Sequence, residues 1–437
     1  MEHKTLHVQD RRALLMRYDT AVILKRFFFV EHSLILSIAG WLPGTAPLRL
    51  KMAYARTAWQ DSLTAEAMRQ RVFELRFPSR LMTKEGEEPL IRFIDEARNA
   101  PSALAFYLSV VEVFLPALRE AYRQYLTLAD GIGDGPSIRF MDLALREKVQ
   151  QIEDLQSFLP ELQSEEEQGD IEQARAWVAE LNRDLSNLGG IGLEPIKQSE
   201  SELPSLSGQL KFGVAQIPAR ESAFHRLRFY WPDIIMPDYP YGEGLELQLR
   251  SALSHINEVW AVEASAAFTY AFAEILGWEF VLDGARWMYD EARHCQMGLE
   301  RLIAWGFDTS EIPLGTYISD AARDADPIYR LGMLFFFETK NIHKKPQRTE
   351  KFRELQDGLS EHDMDFDWAD ETKHAHFGSV WLTRLLEVRN EGYDPKIIRS
   401  RCQEMVDAVI ASATDLERQE IIQIAEAMIQ KARSLAN

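Results

Sequence analysis

Cysteine is nearly absent. Cys295 and Cys402 are the only two among 437 residues, too few for a disulfide framework or for a cysteine-ligated zinc or iron–sulfur site. Such sparse thiol usage fits a reducing compartment, and the chain is expected in the cytoplasm. Positive charge is also short. Forty-nine Lys and Arg stand against 68 Asp and Glu, a formal charge of −19, which repels a phosphate backbone and makes nucleic acid an unexpected partner. Long apolar runs are scarce as well. The apolar stretch 27–38 carries Glu31 and His32 and is too short to span a bilayer, so neither a membrane partner nor a signal peptide is expected.

What remains reads as helix. Apolar residues recur at three- and four-residue steps, and alternating strand-like runs are few. Hydrophobic residues make up 46% and charged residues 27%, the balance of a globular protein long enough for two or more domains. Residues 1–158 read as four helical segments, interrupted at Trp41-Leu42-Pro43-Gly44, before Pro78, and by the Gly-rich run 130–136. Residues 159–243 differ: an acidic, exposed helix over 164–188, a Gly/Ser/Pro linker over 189–208, and an aromatic, proline-rich stretch over 224–241. That stretch reads either as packing at a domain junction or as a lid over a pocket. Residues 244–392 again read as four helical segments, and 393–437 as amphipathic helices.

The second helical set carries a matched pair of motifs. Asp290-Glu291-Ala292-Arg293-His294 and Asp370-Glu371-Thr372-Lys373-His374 are both Asp-Glu-x-x-His. Residues three apart lie on nearly one helix face, so Glu291 with His294, and Glu371 with His374, can each aim at one point. Upstream of each motif a lone acid interrupts an apolar run: Glu263 among alanines and valine, and Glu338 after Leu334-Phe335-Phe336-Phe337. Buried and unpaired, such carboxylates are costly. Two divalent cations would neutralise four of them, and mixed carboxylate and imidazole donors suit iron, manganese or zinc better than copper(I) or calcium. A metal-bound imidazole commonly donates its second N–H to a carboxylate. Asp370 is therefore expected to orient His294, and Asp290 to orient His374.

The first helical set reads as a faded copy. Glu31 falls where Glu263 does, Asp61 and Thr64 where Glu291 and His294 do, Glu112 where Glu338 does, and Glu147 with Gln150 is the nearest counterpart of Glu371 with His374. Both histidines are gone. The first half is therefore expected to be scaffold or pocket wall, with metal binding by Glu31, His32, Asp61 and Glu112 as the lesser alternative.

Residues 245–390, through Glu263, Glu291, His294, Glu338, Glu371 and His374, resemble the ferritin-like superfamily of carboxylate-bridged di-iron proteins. The resemblance implies an all-α fold built on a ferritin-like four-helix bundle, here read as duplicated around an inserted helix and loop region. It implies two iron ions, with manganese or a mixed iron–manganese pair as alternatives. Glu291 and Glu371 would bridge, while Glu263 with His294 and Glu338 with His374 would be terminal ligands. The expected activity is O2-dependent oxidation of a small, partly apolar organic substrate. An external electron donor is expected because no flavin or iron–sulfur motif is present. Ala266, Ala267, Tyr270, Trp287, Leu334 and Phe335 are the candidate substrate pocket, though each also reads as plain core. Ferritin-type storage fits a shorter chain, and a rubrerythrin-type peroxidase would call for a Cys-x-x-Cys pair. Manganese catalase or peroxidase chemistry, ferroxidase activity, and a purely structural metal site stay open. A homodimer is the base-rate expectation.

Overall fold

The computed structural model describes residues 12, 14–164, 166–196, 211–392 and 394–436. Over these residues the protein is all-α apart from one pair of three-residue strands. Part of the expected linker, residues 197–208, lies outside the described residues. Contacts divide the chain into two units, residues 1–34 with 60–212 and residues 35–59 with 213–437. This partition differs from the expected one. The acidic helix of the middle region belongs to the first unit, and both the aromatic stretch and the C-terminal helices belong to the second.

The first unit contains parts of α1 (Arg17–Trp41) and α2 (Leu48–Leu75), then α3 (Glu88–Ala97), α4 (Ala103–Leu108), a π-helical turn (Ser109–Phe114), α5 (Leu115–Leu128), α6 (Gly135–Gln156), α7 (Leu159–Ser164) and α8 (Gln168–Leu188). Local chemistry sets several of the ends. Ser102 caps α4 by accepting the Ala105 N–H at 3.1 Å, and α8 stops at Gly189, whose φ of 93° suits a residue without Cβ. Helix α8 is not the exposed helix its acidity suggested. It lays Trp177, Val178, Leu181 and Leu185 against α3 and α4, because an apolar stripe at helical spacing runs beneath the charges.

At the centre of this unit two buried acids share one buried base. Lys148 Nζ lies 3.0 Å from Glu31 and 2.6 Å from Asp61. Gln151 donates to Asp61 at 2.9 Å, and the Tyr122 hydroxyl donates to Glu31. Lys148 and Gln151 are three apart on α6, so the pair facing Asp61 is one residue further along than the Glu147 and Gln150 read from the repeat. Glu112 turns away to Arg175, at 2.6 Å. Burial, and then the neighbouring Asp61, push the Glu31 carboxyl up to about 8.

The second unit holds β1 (His225–Leu227), α9 (Leu245–Asn257), α10 (Val259–Leu276), α11 (Trp278–Ala304), β2 (Pro313–Gly315), α12 (Tyr317–Ala321), α13 (Ile328–Asn341), α14 (Lys345–Glu354), α15 (Gly358–Val388), α16 (Pro395–Ala411) and α17 (Asp415–Leu435). Helix α10 packs on α11 and α13, and α15 packs on α11 and α13, which closes a ring of four helices. Helix α9 lies along α11, α14 along α15, α16 against α12 and α13, and α17 against α9. Gly298 permits the close approach of α9 and α11: a Cβ there would lie 2.4 Å from the Ala252 carbonyl and the Ile256 amide. The two strands pair in parallel, His225 opposite Pro313 and Leu227 opposite Gly315. They tether the aromatic stretch, whose Phe229, Tyr230 and Trp231 are buried.

Residues 245–276, read from sequence as one helix, are two, meeting at Glu258. Leu245–Leu276 is the one described stretch long and apolar enough to cross a membrane, and 67% of its most apolar window is buried inside the protein.

Replacing Lys148 with Met leaves Glu31 and Asp61 buried without a counter-charge. Urea unfolding of the Lys148→Met protein should show a loss of about 3–5 kcal/mol. Adding Glu31→Gln and Asp61→Asn should recover most of that loss; an unchanged transition in the single variant would contradict the ion-pair reading.

Candidate metal centre

The two Asp-Glu-x-x-His motifs face each other from α11 and α15. Their aspartates cross over. Asp370 Oδ2 lies 3.4 Å from His294 Nε2, and Asp290 Oδ2 lies 3.3 Å from His374 Nε2. Two arginines hold the aspartates. Arg286 donates to Asp290 at 2.6 Å and reaches Asp370 at 3.5 Å. Arg293 donates to Asp290 at 2.5 Å and also to Asp370. With Nε2 of each ring engaged outward, Nδ1 of each points into the four-helix core.

Those inward nitrogens lie close to carboxylates. His294 Nδ1 lies 3.0 Å from Glu258 Oε2, 3.5 Å from Glu291 Oε2 and 3.6 Å from Asp367 Oδ1. His374 Nδ1 lies 3.1 Å from Glu291 Oε1 and 3.8 Å from Glu338 Oε1. Yet both Nδ1 atoms, Glu258 Oε2 and Asp367 Oδ1 are buried and have no hydrogen-bond partner among the described residues. Buried donor atoms crowded this closely can converge on a common cation. Two groups of donor atoms each lie within 4.8 Å of one another: Glu258, His294, Asp367 and Glu371; and Glu291, Glu338, Glu371 and His374. Glu371 belongs to both. Glu291 also touches both, through its contacts with His294 and His374. These residues fit a pair of metal ions.

Surrounding side chains fix the donors. Trp287 Nε1 donates to Glu291 Oε1 at 3.0 Å. Lys345 Nζ lies 2.5 Å from Asp367 Oδ2 and 3.4 Å from Glu371 Oε1. His255 Nε2 meets Asp367 Oδ2 at 3.2 Å, while its Nδ1 accepts from Arg301 at 2.5 Å. Burial, aided by Arg301, holds His255 down to about 4, so it stays neutral.

Without metal the cluster manages its charge with protons. Burial, and then Glu371, push Glu338 well above the usual carboxylate range. Burial likewise raises Glu258 to about 8 despite the opposing pull of His294. Burial works against ionised Glu291 too, but contacts with His294 and His374 bring it down to about 2. Burial also opposes charging of the histidines; the surrounding carboxylates overcome it and raise both well above their ordinary value.

The structure brings together five of the six expected ligands and leaves out Glu263. That carboxylate is buried in an ion pair with Lys51 and Arg220 and belongs to neither donor group. Its apolar run did signal a buried acid in need of a cation, but the cations are side chains distant in sequence. Glu258 takes the expected place. The break between α9 and α10 puts it, with φ −66° and ψ 0°, at the junction of two helices and beside His294. Asp367 was also missed. It lies one turn before Glu371 on the same helix face, and the stripe Asp363, Asp367, Glu371, His374 at steps of four, four and three is the pattern that points to it.

A cavity of about 300 Å3 opens on Glu258, Glu291, Glu338, Asp367 and Glu371. Its walls include Tyr230, Asp233, Ile234 and Tyr241 from the aromatic stretch, Trp260, Tyr317, Ile318 and Phe337, and Val406 and Ile410 from α16. None of the six expected pocket residues lines it. Ala266, Ala267, Leu334 and Trp287 are buried in the helix ring. Phe335 packs against Gly378, and Tyr270 sits further along α10. The cavity lies at the other end of the donor cluster, nearer the α9–α10 junction than the α10 interior.

Elemental analysis should give about two transition-metal ions per chain. Glu258→Ala should lower that count, whereas Glu263→Gln should keep it and reduce stability only. The reverse result would restore Glu263 as the ligand. A second expectation concerns pH. In the metal-free protein Glu258, Glu338 and both histidines hold protons that the unfolded chain releases, so stability falls as pH rises. For Glu258 the contribution is complete below its ordinary 4.5 and is lost as pH climbs through about 8. Thermal midpoints measured from about pH 5 to about pH 8 should drop more steeply for the metal-free than for the metal-loaded protein; parallel profiles would contradict this account.

No curated protein matches the chain, and no solved structure matches it. Residues 215–417, the stretch that carries every donor of both groups, match a family described as protein of unknown function (DUF455).

Proposed function

We propose that the second unit is a ferritin-like, carboxylate-bridged di-iron centre that couples reduction of O2 to oxidation of a small organic molecule. One observation carries this reading: two donor groups, buried except for half-buried Glu258, share Glu371 and open on a cavity with aromatic residues in its walls. A site that served only to hold helices together would be closed on all sides. Glu258, His294 and Asp367 would hold one ion, Glu338 and His374 the other, and Glu371 and Glu291 would reach both. When bound, the two ions supply the O2-binding and redox chemistry.

The chain's own residues supply orientation and exclusion. Asp370 and Asp290 fix the histidine rings through Nε2 and leave Nδ1 as the donor atom. Trp287 fixes one oxygen of Glu291. Lys345 balances the charge of Asp367 and stands beside Glu371. Trp260, Phe337 and Tyr317 form a wall that limits water at the donors. The electrons come from the substrate or from a separate reductase, since the sequence shows no flavin or iron–sulfur motif.

Iron-loaded protein should consume O2 when a reductant is added. Asp370→Ala, which removes the partner of His294 Nε2 along with a contact of Arg286 and Arg293, should cost about 10- to 100-fold in metal affinity or turnover, and Glu371→Ala should abolish both. Absence of O2 uptake by protein carrying two irons would sink the proposal. Uptake restored only by manganese, or by iron and manganese together, would change the metal assignment.

A further inference from the structure

The ionisable groups around the cavity do not balance. Asp233 is matched by Arg250, at 3.0 Å, and Asp367 by Lys345. Glu258, Glu291, Glu338 and Glu371 carry four negative charges, which two divalent ions would neutralise. Three cations are left over: Lys340, Lys344 and Arg348. They recur every fourth residue where α13 passes into α14, and none forms an ion pair with a described carboxylate. The chain as a whole has 19 more acidic than basic residues, so this basic row stands against the global charge. The cations also crowd one another. Partial burial, and then the charges of Arg348 and Lys340, lower the pKa of Lys344.

Two further features lie in the same lining. The Tyr241 ring is flanked by two guanidinium groups, Arg348 at 4.2 Å and Arg250 at 4.9 Å from its centroid. Its hydroxyl is buried and has no hydrogen-bond partner among the described residues, and the same holds for Ser251 Oγ. Both residues line the cavity. Much of the remaining wall is apolar, with the Trp260 ring tilted against Phe337, centroids 5.2 Å apart.

We infer that the cavity selects an organic anion: a molecule with an apolar or aromatic body, directed at the metal donors, and a carboxylate or phosphate group held by Lys340, Lys344 and Arg348. This rests on the dimetal reading, because the surplus of three appears only when two divalent ions neutralise the four glutamates. The anionic group would take charge-assisted hydrogen bonds from the three cations. The body would lie between Trp260 and Phe337, with Tyr241 and Ser251 offering hydroxyls along it. The global charge steers anions away, so selection is local: Lys340 and Lys344 stand exposed at the rim of the cavity and Arg348 half-buried behind them, and their summed field acts on an anion at that rim.

The test uses metal-loaded full-length protein and calorimetric binding of three probes: 3-phenylpropionate, phenyl phosphate and the neutral 3-phenylpropanamide. At least one acid should bind about tenfold more tightly than the amide at low ionic strength, and the advantage should shrink in roughly 0.5 M salt. The arm that wins tells carboxylate from phosphate. A Lys340→Gln, Lys344→Gln, Arg348→Gln triple variant should keep its two metals and its thermal midpoint while acid binding falls to the level of the amide. Should the triple variant misfold, Lys344→Glu alone should give most of the loss. Equal binding of acid and amide, no acid binding at millimolar concentration, or acid binding unchanged in the variants overturns the inference while the metal count stands at two. A metal count near zero in the unmodified protein would overturn the dimetal reading itself, and this inference with it.

Discussion

A carboxylate taken out of water needs a positive partner, and this requirement organises both units. The protein meets it in three ways. In the first unit a single ammonium, Lys148, serves Glu31 and Asp61. Around Glu263 the partners are Lys51 and Arg220. Around Glu371 the cation at hand among the described residues, Lys345, is committed chiefly to Asp367, and four glutamates, that aspartate and two histidines converge. The same electrostatic demand therefore yields a packed ion pair in two places and a metal-ready cluster in the third. What separates the cases is whether a long basic side chain can reach the acid from a neighbouring helix.

Much of this was legible in the residues. The period of apolar positions gave the helical segments, and the breakers at Pro43-Gly44 and at Pro78 gave their ends. The paired motifs gave Glu291, His294, Glu371 and His374, and their one-residue offset gave the crossed aspartates. These are local patterns, fixed by a single helix. Glu258, Asp367 and the cavity were not legible in the same way. Glu258 depends on a break inside an apolar stretch with no glycine or proline to announce it. Glu263 looked like the better ligand because its neighbours are apolar, and only the fold brings Lys51 and Arg220 to it. The cavity draws on segments from residue 230 to residue 410, a combination that no window of sequence contains. The ferritin-like kinship stays a proposal resting on the motifs.

The first unit meets the same demand without a metal-ready cluster. Lys148 and Gln151 have the same three-residue spacing as Glu371 and His374, and both face the Asp61 carboxylate. One basic side chain aimed at two acids provides locally what two cations would provide, and the helices can then close around it. The arrangement shows that a buried acid pair is compatible with an entirely organic core.

The aromatic stretch is fixed along its length. The short parallel ladder anchors its start, Arg418 holds the Ile235 carbonyl at 2.6 Å, and Arg250 lies over both Tyr230 and Tyr241. Ordering a free loop residue costs about 1–2 kcal/mol in backbone entropy, and here that cost is met during folding. A molecule entering the cavity meets a wall already in place. Its affinity would then be set by fit and charge, with little conformational toll to subtract, and a ligand of the wrong shape could not be rescued by the wall rearranging around it.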